Sequence, residues 1–212
     1  MRIDAITDDG QYHAWTEINV PQRPFEIENV DTVTVPLAQS GYTTEYLRYR
    51  ITINDRPNET NYYRIVIDKQ TTLWGYNHEE GGDDYIYWTK HSYNFIGRED
   101  VVLTDGQPTT GDDEDNGLFD TAKNIYGVFD DTRFRNTSYT MTVYNNTKIE
   151  TGSDSGYFSG MDVIIRLMSI TETEYYYLKA LNLVDSDAYD ETINEPIKYP
   201  SNVHGGTGMV GI

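Results

Sequence analysis

The sequence of 212 residues contains no cysteine, which excludes disulfide bonds, a thiolate nucleophile and cysteine-ligated metals. It is also poor in basic residues, with 16 Lys and Arg against 35 Asp and Glu, giving a formal net charge of -19. This charge repels phosphates, so we expect no nucleic-acid partner. No apolar run approaches the roughly 20 residues of a transmembrane helix, and residues 1–4 do not match a secretion signal.

A nucleotide-binding helix is missing as well. The last eight residues contain a literal G-x-G-x-x-G, formed by Gly206, Gly208 and Gly211. This motif binds dinucleotides where it leads from a strand into a helix, and no helical segment follows it here. We therefore predict that the tail is structural, a terminal strand whose glycines let a neighbouring backbone approach closely.

Catalytic motifs are also lacking. The four histidines are scattered, and neither H-E-x-x-H nor G-x-S-x-G occurs. The sequence thus favours a binding role over an enzyme, although its many carboxylates leave a glycosidase-like pair open.

Tyrosine is abundant, with 19 copies, and large aromatic side chains favour sheets. Residues 45–53 alternate cleanly, which predicts a half-buried strand and a hairpin with residues 61–68. The side chains expected on the buried face of the first strand are Leu47, Tyr49, Ile51 and Ile53. Further strands are predicted at residues 11–20, 31–35, 84–89, 138–144 and 161–169.

One helix is predicted near the C terminus. Thr171 and Glu174 form a capping box, and an apolar stripe follows as far as Val184. Many short strands with one helix predict a single, mainly β domain over residues 1–212. Its architecture is expected to be a β-sandwich or an open β-barrel with one short C-terminal helix.

Residues 104–117 are acidic and rich in Gly, Pro and Thr, which predicts a mobile, solvated loop. The EF-hand pattern fails there, because the twelfth position counted from Asp112 is Lys123 and not Glu. A looser calcium site remains an alternative to a solvated loop and would make the chain a calcium-stabilised adhesive module. Its candidate ligands are Asp112, Asp113, Asp115 and Asp120.

Two aromatic segments suggest a ligand platform, since flat rings stack on the apolar faces of ligands such as sugars. The candidate ligand-binding residues are Trp74, Tyr76, Tyr85, Tyr87 and Trp88. The alternative is that these rings only pack within strands and the core. A platform would favour a carbohydrate-binding domain, or a glycan-hydrolysing one if paired carboxylates face the rings.

Four ordered segments resemble a Bacteroidetes family of outer-membrane lipoproteins, domain of unknown function 4249. They are residues 54–65 with an acidic turn before Asn-Tyr-Tyr, residues 129–143 with an aromatic-Asp turn, residues 169–178 at the helix start, and residues 195–208 with the Gly-rich tail. Members of that family usually begin with a signal peptide, a lipid-attachment cysteine and an additional β domain. Residues 16–21 resemble the point where the second half of the family pattern begins. We therefore expect this chain to be a C-terminal portion of such a protein, a divergent short member or an engineered form.

The resemblance implies a location in the cell envelope, at the outer-membrane surface or in the periplasm. It also implies a role beside TonB-dependent nutrient uptake systems, with another envelope protein as partner, for which a TonB-dependent barrel is the candidate. It supplies no catalytic residues. The leading expectation is therefore an interaction or ligand-handling domain accessory to uptake, without catalysis and without a required cofactor.

Overall fold

The computed structural model describes residues 1–24, 26–39, 42–77, 84–97, 100–106, 124–147, 157–185 and 196–211. Within these ranges the chain forms nine strands and one helix. They are β1 (Arg2–Ile6), β2 (His13–Glu17), β3 (Asn29–Gln39), β4 (Tyr42–Asn54), β5 (Tyr62–Asn77), β6 (Asp84–Ser92), β7 (Val128–Asp130), β8 (Ser138–Asn146), β9 (Tyr157–Ile170) and α1 (Glu172–Asp185).

The strands form three antiparallel sheets. β1 and β2 make a hairpin, β3, β4 and β8 make a three-stranded sheet, and β5 pairs with β6, β7 and β9. The two larger sheets do not close into a barrel and pack face to face, so the arrangement is sandwich-like. The prediction of a mainly β fold with one short C-terminal helix is confirmed.

The core lies between the two larger sheets. Alternate residues of β4 and β5 supply it, because successive side chains on a strand point to opposite faces. Tyr49, Ile51 and Ile53 of β4 are buried as the alternation predicts, and Leu47 packs at the edge of the same cluster. Met141 and Val143 of β8 lie beside them in the same sheet, and the opposing sheet supplies Tyr63, Ile65 and Ile67 of β5 and Phe129 of β7.

β5 is the central strand of the larger sheet. One of its edges pairs with β7 near Tyr62 and with β6 from Lys69 onward, while the other pairs with β9 over Tyr62–Trp74. Helix α1 packs on the outer face of the sheet at the Tyr62 end, where Tyr175 contacts Tyr62. The outer face farther along β5 is where exposed rings and polar groups collect.

Helix α1 begins as the capping box predicts. The Thr171 hydroxyl accepts a hydrogen bond from the Glu174 N–H at 3.1 Å, satisfying one of the free donors of the first turn. Tyr175, Leu178 and Ala180 form its buried stripe. The cap and the apolar spacing together place the helix where the sequence predicts it.

The C-terminal tail is structural, but it is a loop and not the terminal strand that the glycines suggested. The Asn202 side chain closes this loop, because it accepts the Val210 N–H at 3.0 Å and donates to the Val210 carbonyl at 2.8 Å. His204 makes an isolated two-bond bridge to Trp15 of β2. The predicted close approach holds at Gly205, where φ is +77° and a Cβ would lie 2.3 Å from the His13 carbonyl oxygen.

Candidate functional site

Three of the predicted platform rings share the outer face of the larger sheet. Residues directly opposite each other in an antiparallel pair point to the same side, and Trp74 of β5 lies opposite Tyr87 of β6. Tyr85 is two residues from Tyr87 and therefore shares its side. The Trp74 side is the outer one, because its neighbour Leu73 is fully buried toward the core.

Trp88 does not belong to this group. It lies opposite Leu73 and so faces the other side of the sheet, where its ring covers Gly75. A Cβ at Gly75 would come within 3.2 Å of the ring. Trp88, which was predicted to bind a ligand, therefore packs within the sheet. The side chain of Tyr76 lies outside the described part of the chain.

The sequence prediction missed a fourth ring. Tyr157 of β9 lies opposite Trp74 and stacks on it, with ring centroids 4.7 Å apart and an angle of 27° between the planes. Tyr85 packs on Trp74 in a tilted arrangement at 5.4 Å. Trp74, Tyr85, Tyr87 and Tyr157 are called the aromatic face below.

The aromatic face is open to solvent although its rings are supported. Tyr85, Tyr87 and Tyr157 are 56%, 65% and 61% exposed, whereas Trp74 between them is half-buried. Clustered exposed rings on a rigid sheet are typical of surfaces that bind a ligand or a partner. This arrangement makes the aromatic face the principal candidate site.

A polar cluster lies on the same outer face, farther along β5. Asp68 accepts a hydrogen bond from Gln70 Nε2 at 2.8 Å and lies 2.9 Å from His91 Nδ1. The Arg166 guanidinium is 3.4 Å from the same carboxylate. Asp68, Gln70, His91 and Arg166 are called the polar cluster, and Asp162 stands next to it, opposite Gln70 and exposed.

The Asp68 carboxylate is nearly inaccessible, with 2% of the residue exposed. Burial alone would raise its pKa, but the hydrogen bonds from Gln70, His91 and Arg166 outweigh burial and lower the pKa. Asp68 is therefore ionised and orients the three side chains that contact it. Because a carboxylate only accepts hydrogen bonds, His91 carries its proton on Nδ1 and presents Nε2 as an acceptor when neutral.

Small side chains separate the two groups. Thr72 of β5 lies opposite Thr89 of β6 on one side and opposite Gly160 of β9 on the other. A Cβ built at Gly160 would meet no atom within 4 Å, so the space above it is open. Thr72, Thr89 and Gly160 are called the floor.

A concave feature lies at the opposite end of β5 from the aromatic face. It is a groove of about 420 Å³ between residues 17–22, the turn at 59–62, the start of α1 and Asn202. Its three carboxylates are Glu17, Glu59 and Glu172, and each has a partner within the chain. Glu172 accepts the Tyr62 hydroxyl at 3.1 Å, and Glu59 pairs with Arg56 at 3.2 Å. Tyr62 and Trp74 are separated by 12 residues of strand, or about 40 Å.

The segments that carry the family resemblance meet around this groove. Asn61 donates from its backbone to the fully buried Asp131 at 2.8 Å, and Asp55 accepts the Tyr63 hydroxyl at 3.1 Å. Tyr175 of α1 donates to Asp130 at 3.2 Å. These acidic residues act as acceptors that fix turns, and we see no catalytic pair in their arrangement.

The structure gives little information about the remaining predicted sites. Asp112, Asp113, Asp115 and Asp120 lie outside the described residues, as does most of the acidic stretch at 104–117. In the ranges that the structure covers, no group of three or more His, Asp and Glu side chains is arranged to hold a metal ion. Nor does any helix in those ranges combine the length and apolar character needed to cross a membrane.

Comparisons with known proteins give a family but no function. No curated protein matches the chain, and no solved structure does. The family model described as Domain of unknown function (DUF4249) matches residues 1–212, the full length of the sequence. The chain therefore belongs to the DUF4249 family.

Proposed function

We propose that this chain is a cell-envelope interaction or ligand-handling domain, accessory to a TonB-linked nutrient uptake system, and that it works by contact and not by catalysis. The observation that carries the proposal is the aromatic face, with three strongly exposed tyrosines supported by Trp74 on a rigid sheet. Exposed ring clusters bind ligands and partners, because they bury large apolar area at little cost in side-chain entropy.

The placement of the carboxylates favours binding over hydrolysis. A glycosidase needs two carboxyl groups on either side of the scissile bond, next to the surface that holds the sugar. On the aromatic side of the sheet, Asp68 is covered by its own partners. Asp162 is exposed there, but it lies opposite Gln70, about 13 Å along β5 from the row of Trp74. The groove carboxylates Glu59 and Glu172 lie at the far end of β5. The aromatic face and the groove thus do not combine into one hydrolytic centre.

The partner test is an affinity pull-down with the purified chain from solubilised outer membranes of the native host. We expect recovery of a TonB-dependent barrel, with reduced recovery for Tyr87→Ala. Tyr12→Ala is the matched control, because Tyr12 is 72% exposed on the β1–β2 turn, away from the aromatic face.

The same preparations are assayed for hydrolysis of a glycan panel, where we expect no turnover. If no barrel is recovered and turnover is found that Asp162→Asn abolishes, the binding role is wrong and the domain is an enzyme. If a barrel is recovered equally well by wild type and Tyr87→Ala, the aromatic face is not the contact surface.

A further inference from the structure

The outer face of the larger sheet carries rings, small side chains and polar groups in successive rows. The row through Trp74 holds aromatic side chains, the row through Thr72 is the floor, and the row through Gln70 joins His91 and Asp162. Trp74 and Gln70 are four residues apart on one strand, so the aromatic and polar rows are about 13 Å apart. The floor lies between these two rows, and the space above it is open at Gly160.

From this arrangement we infer that the floor is the binding site of a neutral saccharide, held between the aromatic face and the polar cluster. The inference rests on the proposed binding function and specifies the class of ligand. Sugar rings have an apolar C–H face that packs on flat aromatic rings and a rim of hydroxyl groups that both donate and accept hydrogen bonds. The two rows supply those two kinds of contact.

The polar row offers both hydrogen-bonding roles. Asp162 is a pure acceptor, and the Gln70 amide can both donate and accept. His91 is held through Nδ1 by Asp68 at 2.9 Å, so its Nε2 is turned into a fixed acceptor for a ligand hydroxyl. Hydrogen-bonding groups locked by a buried partner bind with less loss of entropy than free surface side chains.

The charge of the site favours a neutral ligand. The chain as a whole carries a formal net charge of -19, whereas Arg166 offsets part of the charge of Asp68 and Asp162 at this site. This offset weakens the preference for cations that the rest of the protein surface would impose. A hydroxyl-rich, uncharged ligand fits this balance best.

The space for the ligand is set by Gly160. A Cβ there would meet no atom within 4 Å, so a side chain can be added at this position and would occupy the floor. In addition, Gly160 has no positive φ that would strain another residue. Gly160→Leu is therefore a variant that blocks the site and keeps the fold.

The test is calorimetric titration of the full chain with a panel of short neutral gluco-, manno- and galacto-oligosaccharides. We expect saturable binding of at least one, weakened about tenfold or more by Gly160→Leu and by Trp74→Ala, and weakened by Asp162→Asn. Thr34→Leu is the matched control, because it adds the same side chain to an exposed position of β3 in the other sheet. Melting curves confirm that each variant is folded.

The outcomes distinguish failure of the saccharide site from failure of the proposed uptake function. No binding across the panel, or binding that Gly160→Leu leaves unchanged, overturns the saccharide site. If in that case a barrel is still recovered in the pull-down and lost with Tyr87→Ala, the aromatic face is a protein-docking surface and the proposed function stands. Saccharide binding without recovery of a barrel supports the site and contradicts the uptake partner.

Discussion

Trp15 and His204 stack with ring centroids 4.1 Å apart, and their backbones exchange two hydrogen bonds of 3.0 and 2.8 Å. The Arg2 guanidinium covers the same Trp15 ring at 4.5 Å. The Thr16 hydroxyl donates to the Asn202 carbonyl at 2.5 Å. The C-terminal loop is thereby fixed to the β1–β2 hairpin, which has no other strand neighbour among the described residues.

This contact between the C-terminal loop and the β1–β2 hairpin is called the joint below. It predicts that alanine substitutions at two adjacent glycines differ in their effect on the free energy of unfolding. Gly205→Ala is expected to lower the free energy of unfolding by about 1–3 kcal/mol, because it combines a positive φ with a clash against the His13 carbonyl. Gly206→Ala is the control, since its Cβ would make only ordinary contacts at 3.4 Å or more. Urea denaturation measures both, and equal stabilities would contradict the close contact at Gly205.

Removal of the whole joint is a stronger test of the same contact. A chain that ends at residue 200 loses the bridge to Trp15 and the hydrogen bond to Thr16. We expect it to melt at a lower temperature or to aggregate. A truncated chain that melts like the intact one would mean that the tail does not stabilise the domain.

The cap of α1 gives a second prediction. Thr171→Ala removes the side-chain acceptor of the Glu174 N–H and is expected to cost about 1 kcal/mol of stability. Thr171→Ser keeps a hydroxyl in the same place and should retain most of the stability. Thermal melts followed by circular dichroism measure the effect, and a loss of equal size in both variants would rule out capping as its cause.

A third prediction concerns Asp100, a buried carboxylate that accepts four hydrogen bonds. One oxygen takes the Tyr139 hydroxyl at 3.0 Å with the Val102 and Leu103 N–H groups, and the other takes the Thr142 N–H at 2.8 Å.

Asp100→Asn turns one of these oxygens into a donor that faces a donor. We expect a loss of about 1–3 kcal/mol, the usual cost of an unsatisfied buried group. Asp31→Asn, at an exposed position of β3, is the control. Chemical denaturation measures the free energy of unfolding of both variants. An Asp100→Asn protein as stable as wild type would show that the carboxylate does not stabilise the turn at residues 100–103.

The fourth prediction is an alkaline effect at Tyr62. Burial and the hydrogen bond to Glu172 raise the pKa of Tyr62 to about 12. The pKa of an unfolded tyrosine is about 10, so the neutral phenol stabilises the fold below about pH 10, and this contribution is lost as the pH rises toward 12.

Tyr62→Phe cannot ionise and should therefore show a shallower fall in the free energy of unfolding over that pH window. Tyr12→Phe is the control, because Tyr12 is strongly exposed. Denaturation curves collected at stepped alkaline pH measure both slopes. A slope for Tyr62→Phe equal to that of wild type would contradict the role of this hydroxyl.

Local sequence patterns predicted the strands that alternate clearly and the one helix with a cap. Helix α1 and the alternation along strand β4 follow their patterns closely. The predicted hairpin between residues 45–53 and 61–68 is wrong, because β4 and β5 lie in different sheets that face each other across the core. Strand β7 was not predicted, since three residues are too short to show a period. Strand β1 was missed for a different reason: all five of its residues are exposed, so burial imposes no alternation on it.

The candidate site was predictable only in part. Side chains alternate along β6, and Trp88 is an odd number of residues from both Tyr85 and Tyr87. The sequence alone could therefore have placed Trp88 on the opposite face of the sheet from these tyrosines. Tyr157 and the floor could not, because the pairing of β5 with β9 joins segments about 90 residues apart and contains a register shift at Thr72 and Leu73. The polar cluster likewise depends on three strands and leaves no local motif.

The joint between Thr16 and Asn202 spans 186 residues of sequence, and this separation governs when the protein can finish folding. The hairpin is synthesised before its anchoring loop, so it lacks that anchor while the 186 residues of this separation are made. Long-range strand pairing of this kind makes folding slow. The hairpin of nascent chains is therefore expected to stay sensitive to proteases until residue 204 has left the ribosome.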